Sequence, residues 1–585
     1  MKKKLLALLL ATVMVIGLLA GCGSSTASSA GAEPGAASTA EEAGEAPAEE
    51  APAAPEEAEA PAEPDSAAPE ASAEEAGVAE EAAEEPEAPA IVISYPLDNL
   101  TEITCWKAMN NQFAQMISSY TDNHCLSYIE EQTGVKLNFI EPMDSASTTQ
   151  FNLALASGDY PELIDCTTYT GGLGAAYNDG IINDLTDLIP EAAPDYWAAV
   201  QNSNDATIRA LKDDEGRMYC IYTINNTYFV ERGLEMRNDW LEAQNLAIPE
   251  TTDELFEVLS ALHDAYNTPY TFSVDSDGVM QYVIGAFGVS GFALDGNGIG
   301  CFVDADGKTI RSSLLEEGYR DYLDYFIKFY NADLIQADFY AQTPGPSTRS
   351  VTNQTALWFG MADAFASDKA SALDESYDAI GIGAITMEKG QEYTFGDLPT
   401  MIGRANYSIS SCADDVEAVL NYMNWFFTED GYRVCNYGLE GEGYELNDAG
   451  EPVYTELITD NPDGWNKVNS KVVYAFWNIM PFYNAQDALL YTYSGRESES
   501  METWTAVGYS QTLPSLSYLP DETAEYTTLV TDLSTYATEQ ILKFITGEDE
   551  YNDENWAEFE DNLYSMGIED AIAITQTAYD RYLNR

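Results

Sequence analysis

Basic residues are scarce in this sequence of 585 residues. It contains 25 lysines and arginines against 99 aspartates and glutamates, which gives a formal net charge of −74 at pH 7. Nucleic acids and anionic membrane surfaces are bound through clustered cations. The shortage argues against both as partners of the folded part of the chain, and we interpret the negative charge as a solvated surface.

The sequence also has few of the residues and none of the motifs that mark common hydrolases. Only two histidines occur, His124 and His263, and the motifs GxSxG, HExxH and SxxK are all missing. Both histidines lie in polar helical stretches, where a surface or hydrogen-bonded histidine is the simpler interpretation. Carboxylates are so abundant that a glycosidase pair stays open as an alternative. We predict that the protein is not an enzyme and needs no cofactor.

Cysteine is rare as well, with eight residues in all, and no CxxC pair occurs. Seven cysteines follow Cys22, and an odd number without paired spacing indicates buried free thiols rather than a disulfide framework or a zinc site. The stretches DADG (304–307) and DSDG (275–278) resemble calcium loops, but the loop spacing places Ser313 or Ile284 where a glutamate ligand is required. FVDADGKTI is instead predicted to be a β-hairpin.

The N-terminus has the layout of a bacterial secretory signal. Three lysines precede an apolar segment from Leu5 to Ala20, which is shorter than the roughly 20 residues of a membrane-spanning helix. The stretch LAGC, ending at Cys22, resembles the lipobox of bacterial lipoproteins, which are cut before the cysteine and lipidated on it. This implies a signal peptide over 1–21 and a lipid-anchored protein on the extracellular face of the bacterial cytoplasmic membrane. An ordinary secreted protein is the alternative.

Residues 23–90 form a low-complexity stretch of Ala, Glu, Pro, Ser and Gly. It contains 19 acidic residues and no lysine or arginine. Such a composition offers too little apolar surface to offset the entropy of ordering, so we predict a disordered tether over 22–90. As a flexible coil it would reach on the order of 45 Å.

The chain after residue 90 alternates between strand and helix patterns. TEITCW alternates as a strand does, and a helical pattern that stops at Thr133-Gly134 leads to a second predicted strand over 135–140. A further helical pattern stops at 157–159, before a third predicted strand over 163–166. This alternation indicates a parallel sheet with helices on its faces, and therefore the α/β class.

Several longer stretches follow one another along the chain in a recognisable order. They are EQTGVKLNF, LALASGDYPELID, YNDGIINDLTDLIPEAAPDYW, MRNDWLEAQNLAIPETTDELFEVLSAL, DADGKTIRSSLLEEGYRDYLDYFIKFYNADLI, ALWFGMADAF, NYGLEGEGYELNDAGEPVY and QTAYDRYLNR. In this order they resemble the extracellular solute-binding proteins of ABC importers, specifically the family 1 group associated with sugars. The resemblance extends over residues 91–585.

The resemblance implies a two-lobe, periplasmic-binding-protein-like (type II) fold with a hinge and an interlobe cleft. By the family pattern, lobe 1 takes residues 91–224, lobe 2 takes residues 225–404, and residues 405–585 complete both. It also implies a membrane-anchored substrate-binding protein that captures a solute, an oligosaccharide by this resemblance, and delivers it to an ABC permease. We expect a monomer, and a peptide or another small solute is the alternative ligand.

Sugar binding needs flat aromatic faces and planar polar groups, which an α/β cleft collects at the ends of its strands. The resemblance implies that Trp106 and Lys107, after the first strand, and Asp165, after the third, belong to the cleft. It also implies Trp358 as a stacking tryptophan. The other candidates lie in a recurrent family motif, at the second crossing between lobes or in an aromatic-rich stretch: Arg237, Arg404, Asn406, Tyr407 and Trp477.

The aromatic candidates also have structural interpretations. Trp106 fits a cap on the lobe core, and Trp358 fits plain core packing. The stretch VVYAFWNIMPFY around Trp477 fits a buried strand as well as a cleft wall. The helical spacing of YRDYLDYFIKFY predicts that its aromatic residues form one buried helix face. The last helix, near 576–585, is assigned to lobe packing only.

The polar candidates have structural interpretations too. Asp165 fits an N-cap or a salt bridge, and Arg237 fits an internal pair with Asp239 at a helix start. The acidic composition disfavours an anionic sugar unless Lys107, Arg237 or Arg404 gather in the cleft. Two other functions stay open: a surface-anchored glycoside hydrolase and a polysaccharide-binding adhesin that takes no part in transport.

Overall fold

Two β-sheets organise the chain, one in each of two lobes. The computed structural model describes residues 91–110, 113–165, 169, 172–274, 282–291, 299–336, 339, 345–463, 465, 467–485 and 495–585. The predicted signal peptide, Cys22 and the predicted tether lie outside the described residues.

Fourteen strands are present in the described part of the chain. In chain order they are β1 Glu102–Trp106, β2 Lys136–Ile140, β3 Leu163–Ile164, β4 Ile221–Asn225, β5 Arg232–Arg237, β6 Tyr270–Phe272, β7 Cys301–Val303, β8 Ile310–Ser312, β9 Thr355–Met361, β10 Ala379–Ile382, β11 Ile402–Ile409, β12 Tyr444–Leu446, β13 Pro452–Tyr454 and β14 Tyr483–Asn484. The first-lobe sheet has the order β14-β4-β11-β3-β1-β2, and the second-lobe sheet has the order β10-β5-β9-β6.

The first sheet begins with the predicted parallel alternation. β1 pairs in parallel with both β2 and β3. The helix Leu126–Thr133 ends at Gly134, whose φ is 75° and whose missing side chain leaves room for Pro96, since a Cβ there would lie 2.8 Å from the Pro96 Cβ. The predicted Thr-Gly stop is therefore confirmed. β11 departs from the parallel pattern, because it returns from the second lobe and runs antiparallel to β3 and β4.

The second sheet is mainly antiparallel. β5 lies between β9 and β10 and runs antiparallel to both, while β6 joins the far edge of β9 in parallel. A separate hairpin pairs β7 with β8, and its turn contains Gly307 with a φ of 69°. The predicted hairpin at DADG is thus confirmed.

Helices cover the faces of both sheets. The first lobe carries Leu126–Thr133, Asp144–Ser157, Gly172–Asn178, Ile189–Ala192, Pro194–Gln201, Asp205–Ala210, Val416–Asn424, Glu429–Tyr437, Glu456–Thr459 and Lys467–Tyr474. The second lobe carries Asn238–Gln244, Thr252–Tyr266, Glu317–Asn331, Pro346–Val351, Phe365–Ser371, Arg496–Thr505, Pro520–Thr546, Asp553–Met566 and Ile568–Tyr582. Among the helices of the described ranges, none has both the length and the apolar character needed to cross a membrane.

The helix Glu317–Asn331 shows why the chain is rich in tyrosine. Its buried face contains Tyr319, Tyr322, Leu323, Phe326 and Phe329, which follow one another at intervals of three or four residues or lie side by side. These side chains enter the core of the second lobe. The predicted helix face is confirmed, so this part of the aromatic content serves packing rather than ligand binding.

A buried glutamate lies in the middle of the second sheet. Glu235 on β5 is almost fully buried, and its Oε1 atom has no hydrogen-bond partner among the described residues. Gly360 on the neighbouring strand makes room for it, since a Cβ there would lie 2.2 Å from Oε1. Burial raises the pKa of Glu235 well above its ordinary value, and the charges of Asp368 and Asp363 raise it further. Both effects favour the neutral form of the carboxyl group in the folded protein.

The chain crosses between the lobes three times. It passes from β4 to β5 through residues 226–231, returns from β10 to β11 through residues 383–401, and leaves β14 for the helix Arg496–Thr505, which packs on the second sheet. Gly381 donates its backbone N–H to the Ser500 hydroxyl at 2.8 Å in that packing. Both lobes are therefore discontinuous in sequence, whereas the exact boundaries at 224 and 404 stay predictions.

An ionic cluster also joins the lobes. Asp214 belongs to the loop before β4, and its carboxylate pairs with Arg585 at 2.7 Å and with Arg581, both at the end of the second lobe's last helix. Arg581 also pairs with Glu522 at 2.6 Å. The side chains of Asp214 and Arg585 are only 5% and 3% exposed. The last helix therefore also joins the two lobes, so its assignment to lobe packing only is wrong.

We expect the substitution Asp214→Asn to lower the free energy of unfolding by about 2 kcal/mol, because it leaves the buried Arg585 without a charged acceptor. Urea unfolding followed by circular dichroism measures the change. Asp430→Asn is the matched control, since it removes the half-exposed pair with Arg433 inside the first lobe and should cost under about 1 kcal/mol. Equal losses of unfolding free energy in the two variants would contradict a stabilising role of the Asp214 ion pairs between the lobes.

We expect the free energy of unfolding to fall as the pH rises above 4.5, the ordinary pKa of Glu235. In that range the folded protein still binds the proton that the unfolded chain has released. Glu235→Gln keeps a neutral group at the site and should therefore show a smaller fall. Urea unfolding of both proteins at pH 5 and pH 8 measures the difference, and identical pH dependence would show that the carboxyl group is ionised in the folded state.

Candidate ligand-binding cleft

A cavity of about 950 Å³ lies between the two lobes, at the crossings of the chain. Its lining combines aromatic rings with amide, carboxylate and guanidinium groups. The lining side chains that carry these groups are Tyr222, Asn225, Tyr228, Phe229, Glu231, Arg232, Asp363, Asp397, Trp477, Asn478, Phe482, Asn484 and Tyr582. The volume falls within the range of pockets that hold drug-sized ligands.

The first-lobe side of the cavity is built on β4 and β14. Parallel pairing of these two strands places Asn225 opposite Asn484, and the Asn484 Nδ2 atom donates to the Asn225 Oδ1 atom at 2.8 Å. The Asn484 Oδ1 atom is buried and has no hydrogen-bond partner among the described residues. Tyr222 on β4 adds an aromatic ring to the same wall. An amide pair beside aromatic rings is suited to hydroxyl groups.

The opposite side comes from the crossing segments and the second lobe. The Tyr228 hydroxyl donates to the backbone carbonyl of Asp397 at 2.9 Å, which ties the first crossing to the second. Burial raises the pKa of Tyr228, so its hydroxyl keeps its proton at neutral pH. Arg232 lies 3.9 Å from the Asp397 carboxylate and is mostly exposed. Asp363 follows β9 and completes this wall.

Of the predicted ligand residues, Trp477 lies in the lining of the cavity. It is half-buried and follows the helix Lys467–Tyr474. The strand alternative for this stretch is wrong, since residues 475–482 are neither strand nor helix. The next residue, Asn478, has a φ of 59°, a left-handed conformation that asparagine tolerates better than most residues. This turn presents the Trp477 ring to the cavity.

Of the candidates on β11, Asn406 and Tyr407 lie beside the cavity rather than in its lining. Ile402 and Gly403 contribute to the wall, whereas the side chain of Arg404 is outside the described residues. Asn406 pairs with Tyr222 across the strands and is half-buried. Tyr407 is buried in the first-lobe core.

The candidates at the ends of β1 and β3 lie behind the wall. Trp106 packs against Phe151 with ring centroids 5.4 Å apart and is buried, which agrees with its core-cap interpretation. The Lys107 Nζ atom donates to the backbone carbonyl of Asn478 at 2.9 Å. Asp165 is half-buried, and its charge lies close enough to Lys107 to favour the protonated lysine. Lys107 therefore contacts the wall from the rear.

Trp358 and Arg237 require corrections, because the structure places both in the second lobe's interior. Trp358 is 1% exposed and belongs to a core cluster, so its ring has no free face for a ligand. Arg237 is fully buried and makes two hydrogen bonds to Asp239, at 2.8 and 2.7 Å. It thus forms the internal pair at a helix start that was the alternative interpretation.

Sequence reasoning missed most residues of the lining. Glu231, Arg232 and Asp397 lie in or beside the crossings, where no strand or helix pattern points to them. Asn225 and Asn484 are 259 positions apart and meet only through the pairing of β4 with β14. A usable signal was the abrupt end of the strand pattern at Asn225-Asn226, where the first crossing begins.

Comparison with known proteins identifies the family. The sequence profile of the family described as bacterial extracellular solute-binding protein matches residues 113–433. Lipoprotein LipO of Bacillus subtilis is 25% identical over 362 residues, covering 57% of this chain and 66% of LipO. The polygalacturonan/rhamnogalacturonan-binding protein YtcQ of the same organism is 23% identical over 336 residues, covering 55% of this chain and 64% of YtcQ. The chain thus spans just under two thirds of these relatives.

Solved structures show the same fold. The HMO-binding, ABC-transporter-associated solute-binding protein of Bifidobacterium longum infantis superposes with a TM-score of 0.64 at 17% identity. The superposition covers 83% of this chain and 99% of that protein. At this identity the likeness concerns the fold alone, and it agrees with the two lobes and the interlobe cavity described above. The chain belongs to the bacterial extracellular solute-binding protein family.

Proposed function

We propose that this protein captures an oligosaccharide in the interlobe cavity and delivers it to an ABC permease. The observation that carries the proposal is the composition of the cavity, which places aromatic rings and planar polar groups on both lobes at once. Aromatic faces pack on the apolar faces of sugar rings, while amides and carboxylates bind hydroxyls. The name of the relative YtcQ supports a saccharide ligand in general, although the polymers it specifies, polygalacturonan and rhamnogalacturonan, contain uronates.

Hinge closure supplies the signal to the permease. A ligand held by Asn225 and Trp477 on one side and by Arg232 and Asp363 on the other stabilises the closed form by its additional contacts there. A micromolar affinity corresponds to about −8 kcal/mol, which stacking and a hydroxyl network can provide. The proposed location is the extracellular face of the cytoplasmic membrane, with lipid on Cys22, and the proposed oligomeric state is the monomer.

The charges of the lining favour a neutral sugar over a uronate. Among the lining residues that the structure describes, three carboxylates, those of Glu231, Asp363 and Asp397, accompany one guanidinium group, that of Arg232. Lys107 and Arg237 are engaged elsewhere, as described above. The stretches between 110 and 495 that the structure leaves undescribed contain no lysine or arginine, although the side chain of Arg404, next to the lining residue Gly403, is also undescribed. Repulsion and the cost of desolvating a ligand carboxylate therefore disfavour acidic sugars.

A thermal-shift screen of the purified protein tests the function. Neutral oligosaccharides, uronate oligomers and short peptides are compared, and each ligand that raises the melting temperature is recovered and checked for cleavage. A ligand at a hundredfold excess over Kd should stabilise the protein by about 2.7 kcal/mol. We expect a shift with a neutral oligosaccharide that is recovered intact. Cleavage would identify a glycoside hydrolase, and a shift with peptides alone would exclude a sugar receptor.

Trp477→Ala should weaken binding of the sugar found in that screen at least about tenfold, because it removes an aromatic face from the cavity wall. Isothermal titration calorimetry measures the two dissociation constants. Trp197→Ala is the matched control, since Trp197 is also half-buried in the first lobe but is not part of the lining. If both variants bind as tightly as the wild type, the ligand does not use this wall.

A further inference from the structure

Two lysines back the part of the cleft wall formed by Trp477 and Asn478. Lysine is a poor choice for the interior of a protein, because removing the ammonium group from water is costly. The folded part of this chain, residues 91–585, has only 22 lysines and arginines in total. Two of these lie directly behind one short stretch of the wall, and their contacts there differ.

Lys471 lies behind the ring of Trp477. It belongs to the helix Lys467–Tyr474 and is 1% exposed. Its Nζ atom lies 5.4 Å from the ring centroids of both Trp477 and Tyr454, within the distance at which a cation is attracted to a ring face. No hydrogen-bond partner for Nζ is present among the described residues. In the described part of the chain, the Lys471 ammonium group is therefore held against the faces of these two rings.

Lys107 contacts the backbone of the same stretch. Its Nζ atom donates to the Asn478 carbonyl at 2.9 Å and lies 6.0 Å and 5.9 Å from the ring centroids of Tyr120 and Tyr407. Burial lowers the pKa of Lys107, while the charge of Asp165 favours its protonated form. This hydrogen bond restrains Asn478, whose left-handed backbone conformation orients the Trp477 ring toward the cavity.

We propose that Lys107 and Lys471 are positioning residues, which hold Asn478 and Trp477 in the orientation that the cleft needs. Lys471 acts on the ring and Lys107 acts on the backbone one residue further on. Neither lysine contacts the ligand. The inference rests on the proposed function for its effect on ligand affinity, while its effect on the Trp477 ring can be measured without any ligand.

The charge of Lys471 changes near neutral pH. Burial lowers the pKa of Lys471 to about 7, and the negative charge of Glu231 opposes this shift. Cys435 would also act on Lys471 if its thiol were ionised. Burial raises the pKa of that thiol, so it stays neutral. Lys471 is therefore mostly an ammonium at pH 6 and mostly an amine at pH 9. Attraction to the Trp477 ring should weaken between these values.

Acrylamide quenching of Trp477 fluorescence tests whether Lys471 restrains the Trp477 ring. The signal of this one tryptophan among nine is obtained by subtracting the matching Trp477→Phe protein from the wild type and from each variant. In the wild type we expect quenching of Trp477 to rise between pH 6 and pH 9. In Lys471→Met, quenching of Trp477 should already be high at pH 6. In Lys471→Arg, whose side chain stays charged, quenching of Trp477 should stay low at both pH values.

Affinity and stability should move in opposite directions in Lys471→Met. The variant should bind the sugar about tenfold more weakly at pH 6, yet it should be at least as stable as the wild type, because a buried ammonium is replaced by an apolar chain of similar length. As the pH rises from about 7 to 10.5, the free energy of unfolding of the wild type should increase relative to that of Lys471→Met. The reason is that the folded wild type binds fewer protons than its unfolded chain in this range. Lys107→Met should also weaken binding.

Lys136→Met is the control, since Lys136 is exposed in the same lobe and should change neither quenching nor affinity. Unchanged quenching and affinity in Lys471→Met would overturn the proposal. A parallel loss of stability and affinity would also overturn it, because this would indicate a general folding defect. If the wild type binds no sugar at all, the proposed function fails, and the quenching experiment still decides the role of Lys471.

Discussion

The scarcity of positive charge is the constraint on which the rest of this structure depends. With few cations available, the fold uses several of them in its interior, where each one connects separate elements. Arg237 joins a strand end to the following helix, Arg585 joins the last helix to the first lobe, and Lys107 joins the end of β1 to the turn at Asn478. Cations used in this way are not available to the cleft, and in the described part of its lining three carboxylates accompany one guanidinium group.

The position of the cleft follows from the three chain crossings. Parts of the crossing segments enter the second lobe's core clusters, as Val230, Ile385 and Phe395 do, while other parts face the space between the lobes. Tyr228, Glu231 and Asp397 belong to these other parts and reach the cavity. Under the proposed function, a ligand bound there touches the same segments that would bend when the lobes close. Ligand binding and hinge motion would then be coupled directly through these segments.

Much of the fold could be predicted from the sequence, because helix stops and strand patterns are local. Gly134 ends its helix where the pattern changes, and the aromatic residues of Glu317–Asn331 form one face. The cleft was harder to predict, because a tryptophan has the same local sequence pattern in a core as in a binding site. Trp358 and Trp477 both lie in aromatic stretches, and only the packing of distant elements buries one and presents the other.

The discontinuity of the lobes has a consequence for how the chain folds as it emerges from its N-terminus onward. The first-lobe sheet needs β14, so it cannot be completed until residue 484 has emerged, long after β4 ends at residue 225. An interval therefore separates the emergence of these two strands. During it, β4 has neither of its sheet neighbours until β11 arrives and then still lacks β14. During that time the unpaired strand edges are able to pair with other chains. The large negative charge of the chain opposes such pairing, because copies of the chain repel one another.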